Sequence, residues 1–468
     1  MFLKKWRYII LCITLWIGCV CALGNDAQPM LPIVELTFDV LSRDTFSNGS
    51  FRLINDSDTV AMPMDIRHRG KTSAKYQKQS FAIKLKDSIG SKCDTTLLDL
   101  RKDNYWILDA MAPDKARMRN RIAMDLWMDF SSTPYYKEIE PQMQNGANGR
   151  FVEVYVNGAY NGIYCLMERV DRKQLKLKKA KKTTIQGVLY KSDNWTGSFF
   201  GQTYDDYTNT SAQWMRYDYQ YPDVEDSLIT WEPLYNAYYF VANSSSENFE
   251  NEVQDYFDVS VFMDYDLFTF LLSARDNMGK NLYLSYYNIQ QDQKLLITPW
   301  DMDHSFGRQY NGSIESPSTP TRMNTQFLYT RFASDISNYA DNIIKRYAYL
   351  RKHAFDNDSL KDRFATYFQL FQSTGVATRE MERWDGIDGI TLDFEAEEPY
   401  IYQWIDERLA YMDSIFAYTG EEETPTSILQ STTTELTPKK IVHNGILYIS
   451  YQGKIYTITG NKISNFKH

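Results

Sequence analysis

The side chains best suited to chemistry lie in two short polar motifs in the second half of the chain. Asp276 and Asn281 come just before one apolar segment, and Asp301 comes directly after the next, followed closely by Asp303. The polar stretch between the two apolar segments predicts a hairpin, which would bring Asp276, Asn281 and Asp301 to the same end of adjacent strands. Asn and Asp oxygens can hold Mg²⁺ against a phosphate chain, while another Asp orients an acceptor hydroxyl. The spacing therefore indicates phosphoryl transfer.

Turn formation is the alternative explanation for the same residues. Asp and Asn favour turns whether or not they have a function, so an Asp and an Asn ahead of a strand carry little weight alone. The second motif, "WDMD", faces the first across the predicted hairpin, and this pairing favours a functional site. Both explanations remain open at this point.

Phosphoryl transfer also needs contacts to a nucleotide, which the first half of the chain would supply. Lys84, in the middle of the strand-like segment "SFAIKLK", is the candidate for the phosphates, with Lys78 and Lys86 as alternatives. Glu168 ends the apolar segment "IYCLM", where main-chain groups would meet the adenine ring. Each residue also has a structural explanation, since strand lysines protect sheet edges and many strands end at a charged residue.

Several classes of protein are excluded by what the sequence lacks. The segment Pro113–Phe130 contains Asp but no Glu for the usual Lys–Glu ion pair, and "HRGKTSA" has one Gly only, so an ordinary protein kinase is excluded. Five scattered His argue against a His-ligated zinc site. The net charge of −9 gives no general attraction to nucleic acid, which favours protein or small-molecule partners.

Strands and helices in alternation are predicted to position these residues. Alternating apolar and polar residues over 31–86 predict short strands, and residues 149–168 predict two strands joined by a turn at Asn157-Gly158. Apolar residues at helical spacing predict helices over Pro113–Phe130 and 261–274. The second of these helices leads directly into the first polar motif.

The predicted fold class is α+β, with a β-rich N-lobe over 30–170 and a mostly helical C-lobe over 171–417. The C-lobe would carry both polar motifs. A Thr- and Glu-rich linker would follow at 418–439, and a small β segment at 440–468.

The N-terminus has the pattern of a secretory signal peptide over residues 1–24. Lys4, Lys5 and Arg7 precede an apolar run that is short for a membrane-spanning helix, although a retained anchor is the alternative. Cys19 offers a second alternative, lipid attachment. We therefore expect an exported protein at the cell surface or outside the cell.

Five motifs in one order carry a resemblance to a known family. They are "IRHRGKTSAKYQKQSFAIKLK", "APDKARMRNRIA", "YVNGAYNGIYCLMERVD", "DNMGKNLYLSYY" and "ITPWDMDHSFG". Together, from about residue 30 to about 417, they resemble the CotH kinases, a family of atypical kinases similar to spore coat protein H.

The resemblance implies a two-lobed, kinase-like fold and Mg²⁺-dependent transfer of phosphate from ATP to Ser or Thr of a protein substrate. It implies that Asp276 is the catalytic Asp and that Asn281 and Asp301 bind the metal. Lys84 and Glu168 would contact the phosphates and the adenine, respectively.

The C-terminal segment leads to a second hypothesis about the surroundings of the protein. "IVHNGILYISYQGKIYTITG" resembles terminal segments of secreted proteins in Bacteroidetes-type bacteria, some of which are sorting signals to the outer membrane. Because ATP is scarce outside the cytoplasm, the alternative function is a non-catalytic surface protein that uses this fold for adhesion or polysaccharide association. Abundant Tyr and Trp fit that alternative.

Overall fold

The computed structural model describes residues 30–420 and the strands between 439 and 463. Short gaps fall at 57, 71–72, 195–198, 202–206, 211–213, 215, 224–228 and 292–293, and between those C-terminal strands. The described residues form two compact units, one ending at Tyr418 and one beginning at Thr419. The predicted signal peptide at 1–24 and most of the predicted linker at 418–439 lie outside the described residues.

A closed barrel of seven strands forms the N-terminal part of the first unit. Its strands are β1 (Ile33–Phe38), β2 (Ser47–Asn55), β3 (Asp58–Arg69), β4 (Ser80–Leu85), β5 (Tyr105–Asp109), β6 (Gly149–Val156) and β7 (Ala159–Met167). The strand order is β1-β2-β3-β4-β5-β7-β6, and parallel pairing of β1 with β6 closes the barrel.

Alternating apolar side chains fill the barrel. Val34 and Leu36 from β1, Ile83 from β4 and Trp106 from β5 are almost completely buried in one apolar cluster. The predicted hairpin at 149–168 is confirmed as β6 and β7. Asn157 and Gly158 both have positive φ, as a two-residue hairpin turn that matches the strand twist requires.

Nine helices follow or interrupt the strands of the described residues. They are α1 (Arg119–Phe130), α2 (Glu232–Asn243), α3 (Ser246–Tyr256), α4 (Val259–Leu272), α5 (Phe327–Asp335), α6 (Tyr339–Arg351), α7 (Asn357–Ser373), α8 (Val376–Trp384) and α9 (Phe394–Phe416). Within this part of the chain, no helix combines the length and the apolar character needed to cross a membrane.

A second sheet of four strands lies among these helices. It contains β8 (Val188–Ser192), β9 (Tyr217–Tyr221), β10 (Leu282–Tyr286) and β11 (Leu295–Pro299), in the order β11-β10-β8-β9. Every residue of β10 and β11 is buried, because apolar groups cover both faces of these strands. The hairpin predicted from the two polar motifs is therefore confirmed.

The C-terminal unit contains a separate antiparallel sheet. Its strands are β12 (Lys439–His443), β13 (Ile446–Tyr451), β14 (Lys454–Thr457) and β15 (Lys462–Ile463), which pair in chain order.

The predicted two-lobed arrangement, a β-rich N-lobe beside a mostly helical C-lobe, is wrong. The strands of the N-terminal part close into a barrel, and the later part contains its own buried sheet besides its helices. Local alternation identified the early strands, but closure depends on the pairing of β1 with β6, which lie far apart in the chain. Moreover, α1 leaves the barrel and packs in the same apolar core as the second sheet, so the core is shared.

A buried ion cluster joins α8 to the barrel. Glu380 of α8 accepts hydrogen bonds from Lys78 Nζ at 2.7 Å, from Arg117 Nε at 2.7 Å and from the backbone N–H of Ile163 at 2.7 Å. Gly162 has φ +101°, and a Cβ there would overlap Glu380 Oε2, so the close approach requires glycine.

This cluster contains two basic side chains, Lys78 and Arg117, but only one carboxylate, Glu380. Burial alone would raise the pKa of Glu380, but Lys78 and Arg117 outweigh it and lower that pKa. Burial lowers the pKa of Lys78 to about 7, with Arg117 adding to the effect and Glu380 opposing it. Two cations thus depend on one carboxylate that is 0% exposed.

Replacement of Glu380 by Ala should lower the free energy of unfolding by about 3–5 kcal/mol, because the buried Lys78 and Arg117 lose their counter-charge. Glu382→Ala is the matched control, since Glu382 lies exposed on the same helix. Its effect should stay within about 0.5 kcal/mol. Urea unfolding followed by circular dichroism measures both variants, and equal losses of stability would contradict the role given to Glu380.

Candidate functional site

One cleft of about 450 Å³ gathers polar side chains from the barrel and from the second sheet. Its polar lining consists of Arg69, Ser73, Tyr76, Lys78, Ser80, Asp109, Asn120, Lys191, Asp193, Asp276, Lys280, Asn281, Asp301, Asp303, His304 and Tyr310. Three of the five residues predicted from the sequence, Asp276, Asn281 and Asp301, lie in this cleft.

The β10–β11 hairpin places Asn281 and Asp301 side by side. Leu282 pairs with Pro299, so the residue before β10 and the loop after β11 leave the sheet at the same end. Asn281 and Asp301 have φ of 55° and 58°, a left-handed conformation that Asn and Asp tolerate better than most residues. The local backbone therefore favours the residue types found there.

Asn277 ties the two sides of the hairpin together beneath the cleft. Its side chain is fully buried, and its Nδ2 donates to Asn281 O at 3.0 Å and to Trp300 O at 2.8 Å. The N–H of Trp300 donates to Asn281 O at 3.0 Å. The spacing between Asn281 and Asp301 is thus set by three hydrogen bonds.

Asp276 lies in the short 3₁₀ turn Arg275–Met278 after α4 and has two cationic neighbours. Its Oδ2 is 2.9 Å from Lys280 Nζ and 3.2 Å from His304 Nδ1. Burial alone would raise the pKa of Asp276, but hydrogen bonds from His304 and Lys280 outweigh it and lower the pKa to about 2. Asp276 is therefore a carboxylate, fixed in orientation, at neutral pH.

His304 stands between two carboxylates. Its Nε2 is 3.4 Å from Asp303 Oδ1, on the side of the ring opposite Asp276. Burial alone would lower the pKa of His304, but Asp303 and Asp276 outweigh it and raise the pKa to about 9. The imidazole is consequently charged at neutral pH, and it forms a hydrogen bond with Asp276 and an ion pair with Asp303.

Three acidic residues, Asp109, Asp301 and Asp303, line the cleft where the barrel faces the loop after β11. Burial raises the pKa of Asp303 well above its ordinary value, and Asp301 and Asp109 reinforce this against the opposing charge of His304. Burial is also the main cause that raises the pKa of Asp109, and the negative charge of Asp301 is the second. Asn120 links the two walls, since its Nδ2 donates to Asp109 Oδ2 at 2.9 Å and its Oδ1 accepts from Met302 N at 3.0 Å.

The two predicted nucleotide contacts do not line this cleft. The Nζ of Lys84 lies over the rings of Phe46 and Tyr105, 4.2 Å and 5.4 Å from their centroids. The carboxylate of Glu168 is buried and accepts from Arg101 N at 2.8 Å and from Asn148 Nδ2 at 3.0 Å. The roles given to Lys84 and Glu168 stay predictions that the cleft geometry does not favour.

The barrel wall of the cleft contains one lysine that the sequence offered as an alternative and two residues that it did not single out. Lys78, an alternative to Lys84, reaches the cleft and has its Glu partner on α8 rather than on the helix after β5. Arg69 and Asp109, at the ends of β3 and β5, were missed. Their position at the end of a predicted strand was the available signal, but it does not distinguish them from other strand ends.

The cleft has the donor types that Mg²⁺ uses, although it is not a closed metal site. Among the described residues, no three His, Cys, Asp or Glu side chains form a group that could hold a metal ion. Mg²⁺ needs few protein oxygens, because it keeps water and binds substrate phosphates. Asp303 Oδ1 is buried and has no hydrogen-bond partner within the described part of the chain, so the excess of carboxylate fits a cation there.

Comparison with known proteins identifies the family. The sequence model described as CotH kinase protein matches residues 66–412, a range that contains every residue of the cleft. No curated protein matches the chain. Because the match covers most of the chain, this protein belongs to the CotH kinase family.

Proposed function

We propose that this protein is an exported kinase that transfers the γ-phosphoryl group of ATP, with Mg²⁺, to a Ser or Thr hydroxyl of a protein. The observation that carries the proposal is the cleft itself, where Asp276, Asn281 and Asp301 face Lys78 and Arg69. Family membership supports kinase chemistry, and the signal-like N-terminus supports export.

Asn281 and Asp301 are the residues we assign to the metal. When bound, Mg²⁺ would neutralise charge on the transferring phosphate group. Asn281 and Asp301 would supply one oxygen each from the rigid end of the hairpin. Their fixed spacing means that little reorganisation accompanies binding.

Asp276 would orient the acceptor hydroxyl. With a pKa of about 2 it is a weak base, but it accepts a hydrogen bond well. Phosphoryl transfer passes through a loose transition state, so the position of the hydroxyl contributes more than early removal of its proton. Lys280 and His304 hold the carboxylate in one orientation from two sides.

Lys78 is the lysine we assign to the nucleotide phosphates. It reaches the cleft while Glu380 and the carbonyl of Ile163, at 2.7 Å and 2.6 Å, fix its Nζ. Burial has lowered its pKa to about 7, and a nearby phosphate would favour the charged form again. Phosphate binding therefore restores a charge that the fold alone weakens.

A labelling experiment tests the proposal. The full chain, incubated with γ-labelled ATP and Mg²⁺, should incorporate label, and Asp276→Ala or Asp301→Ala should reduce incorporation at least about 100-fold, because each removes an oriented carboxylate from the reaction. Removal of divalent cations by EDTA should abolish labelling, and added Mg²⁺ should restore it.

Asp255→Ala is the matched control for this experiment, because Asp255 is exposed on α3, outside the cleft. The kinase proposal would be contradicted if the unmodified chain bound no nucleotide and incorporated no more label than Asp276→Ala does. That outcome would favour the adhesion or polysaccharide-associated alternative.

The charged state of His304 predicts a pH dependence of stability. Its pKa is about 9 in the fold against an ordinary value of 6.5, so its stabilising contribution is complete below pH 6.5 and is lost as the pH rises through 9. His304→Asn should flatten the dependence of unfolding free energy on pH over that window. His353→Asn, at an exposed position, is the control and should leave the slope unchanged. An unchanged slope in His304→Asn, measured by urea unfolding at several pH values, would contradict the ion-paired state.

A further inference from the structure

Among the residues that the structure describes, no glycine-rich loop lines the cleft, whereas the end of one barrel strand does. Arg69 is the last residue of β3, and it lines the cleft together with Gly70. Gly70 has φ +102°, a conformation that turns the chain sharply just after the strand. Arg69 is thus held at the end of β3, where the barrel meets the cleft.

Stacking on an aromatic ring orients the Arg69 guanidinium. Its central carbon lies 5.1 Å from the centroid of the Trp300 ring, and Trp300 is itself only 5% exposed. Trp300 immediately precedes Asp301, and its backbone is hydrogen-bonded to Asn281. Stacking leaves the N–H donors at the edge of the guanidinium free to point elsewhere. Arg69 is therefore held against the residue that precedes Asp301, next to the proposed metal residues.

The other cations next to the proposed reaction centre already have partners. Lys78 is bonded to Glu380, and Lys280 lies 2.9 Å from Asp276. The guanidinium of Arg69 has no hydrogen bond or ion pair to any residue that the structure describes, although its charge opposes the rise that burial causes in the pKa of Asp109. Arg stays charged at any physiological pH and presents a planar set of donors that matches phosphate oxygens.

We infer that Arg69 binds the phosphate chain of the nucleotide through paired N–H donors from the barrel side of the cleft. The Arg69 side chain would thus donate the hydrogen bonds to phosphate that backbone N–H groups of a glycine-rich loop donate in other kinases. The inference rests on the proposed function, because it takes the nucleotide as the ligand. It assigns a phosphate contact to a residue for which the sequence analysis gave no role.

Calorimetric binding of ATP, adenosine and inorganic tripolyphosphate to the full chain tests this assignment. Arg69→Gln should weaken the binding of ATP and tripolyphosphate by roughly 10- to 100-fold, which is the usual effect of losing hydrogen bonds to a charged group. The affinity for adenosine should stay unchanged. Arg69→Lys should recover only part of the loss, because it keeps the charge but not the planar pair of donors.

Arg383→Gln is the matched control. Arg383 also stacks on a tryptophan, with its guanidinium carbon 4.0 Å from the Trp384 centroid, but it lies on α8 and does not line the cleft. This variant should bind all three ligands as the unmodified chain does.

The outcomes separate the two proposals. If the unmodified chain binds neither ATP nor tripolyphosphate, the proposed function and this inference fall together. If it binds ATP and Arg69→Gln binds it equally well, only the assignment of Arg69 is overturned. Equal weakening of adenosine and ATP by Arg69→Gln would also overturn it, because the effect would then not depend on phosphate.

Discussion

A carboxylate removed from water must be neutralised by the protein, and for Glu380 that requirement fixes the relation between barrel and helices. Its neutralising groups are Lys78, just before β4, and Arg117, just before α1, while a third bond comes from the backbone of β7. A buried charge that loses its partner costs more than most single interactions. The position of α8 is therefore tied to the barrel more tightly than apolar contact alone would tie it.

A second buried ion network joins α1 to α9. Arg119 of α1 pairs with Asp114 and Glu397, both at 2.6 Å, and Glu397 of α9 also binds Arg308. Arg119 further donates to the carbonyl of Phe306, which belongs to the loop that carries Asp303 and His304. Both networks therefore join residues from the first third of the chain to the last helices by buried charge pairs.

Local patterns predicted the parts of this protein that depend on neighbouring residues. The hairpins of β6–β7 and β10–β11 follow from alternation and turn residues, and the second brought Asn281 and Asp301 together as expected. The helix predicted from Pro113 begins only at Arg119, because the Asp114 carboxylate binds the N–H groups of Met118 and Arg119 and holds a turn. Barrel closure and the Lys78–Glu380 pair, 302 residues apart, leave no local trace in the sequence. Lys84, chosen from strand position alone, consequently faces aromatic rings outside the cleft.

The separation of Lys78 from Glu380 also bears on the order in which the protein can fold. Contacts between residues distant in the chain form late, because the intervening loop must first be closed against its entropy. The barrel strands all precede residue 168, but the carboxylate that neutralises their buried lysine is part of α8 and emerges from the ribosome only with that helix. A growing chain can therefore assemble its strands early, whereas the barrel wall of the cleft acquires its final charge state only once α8 has been synthesised and has packed against it.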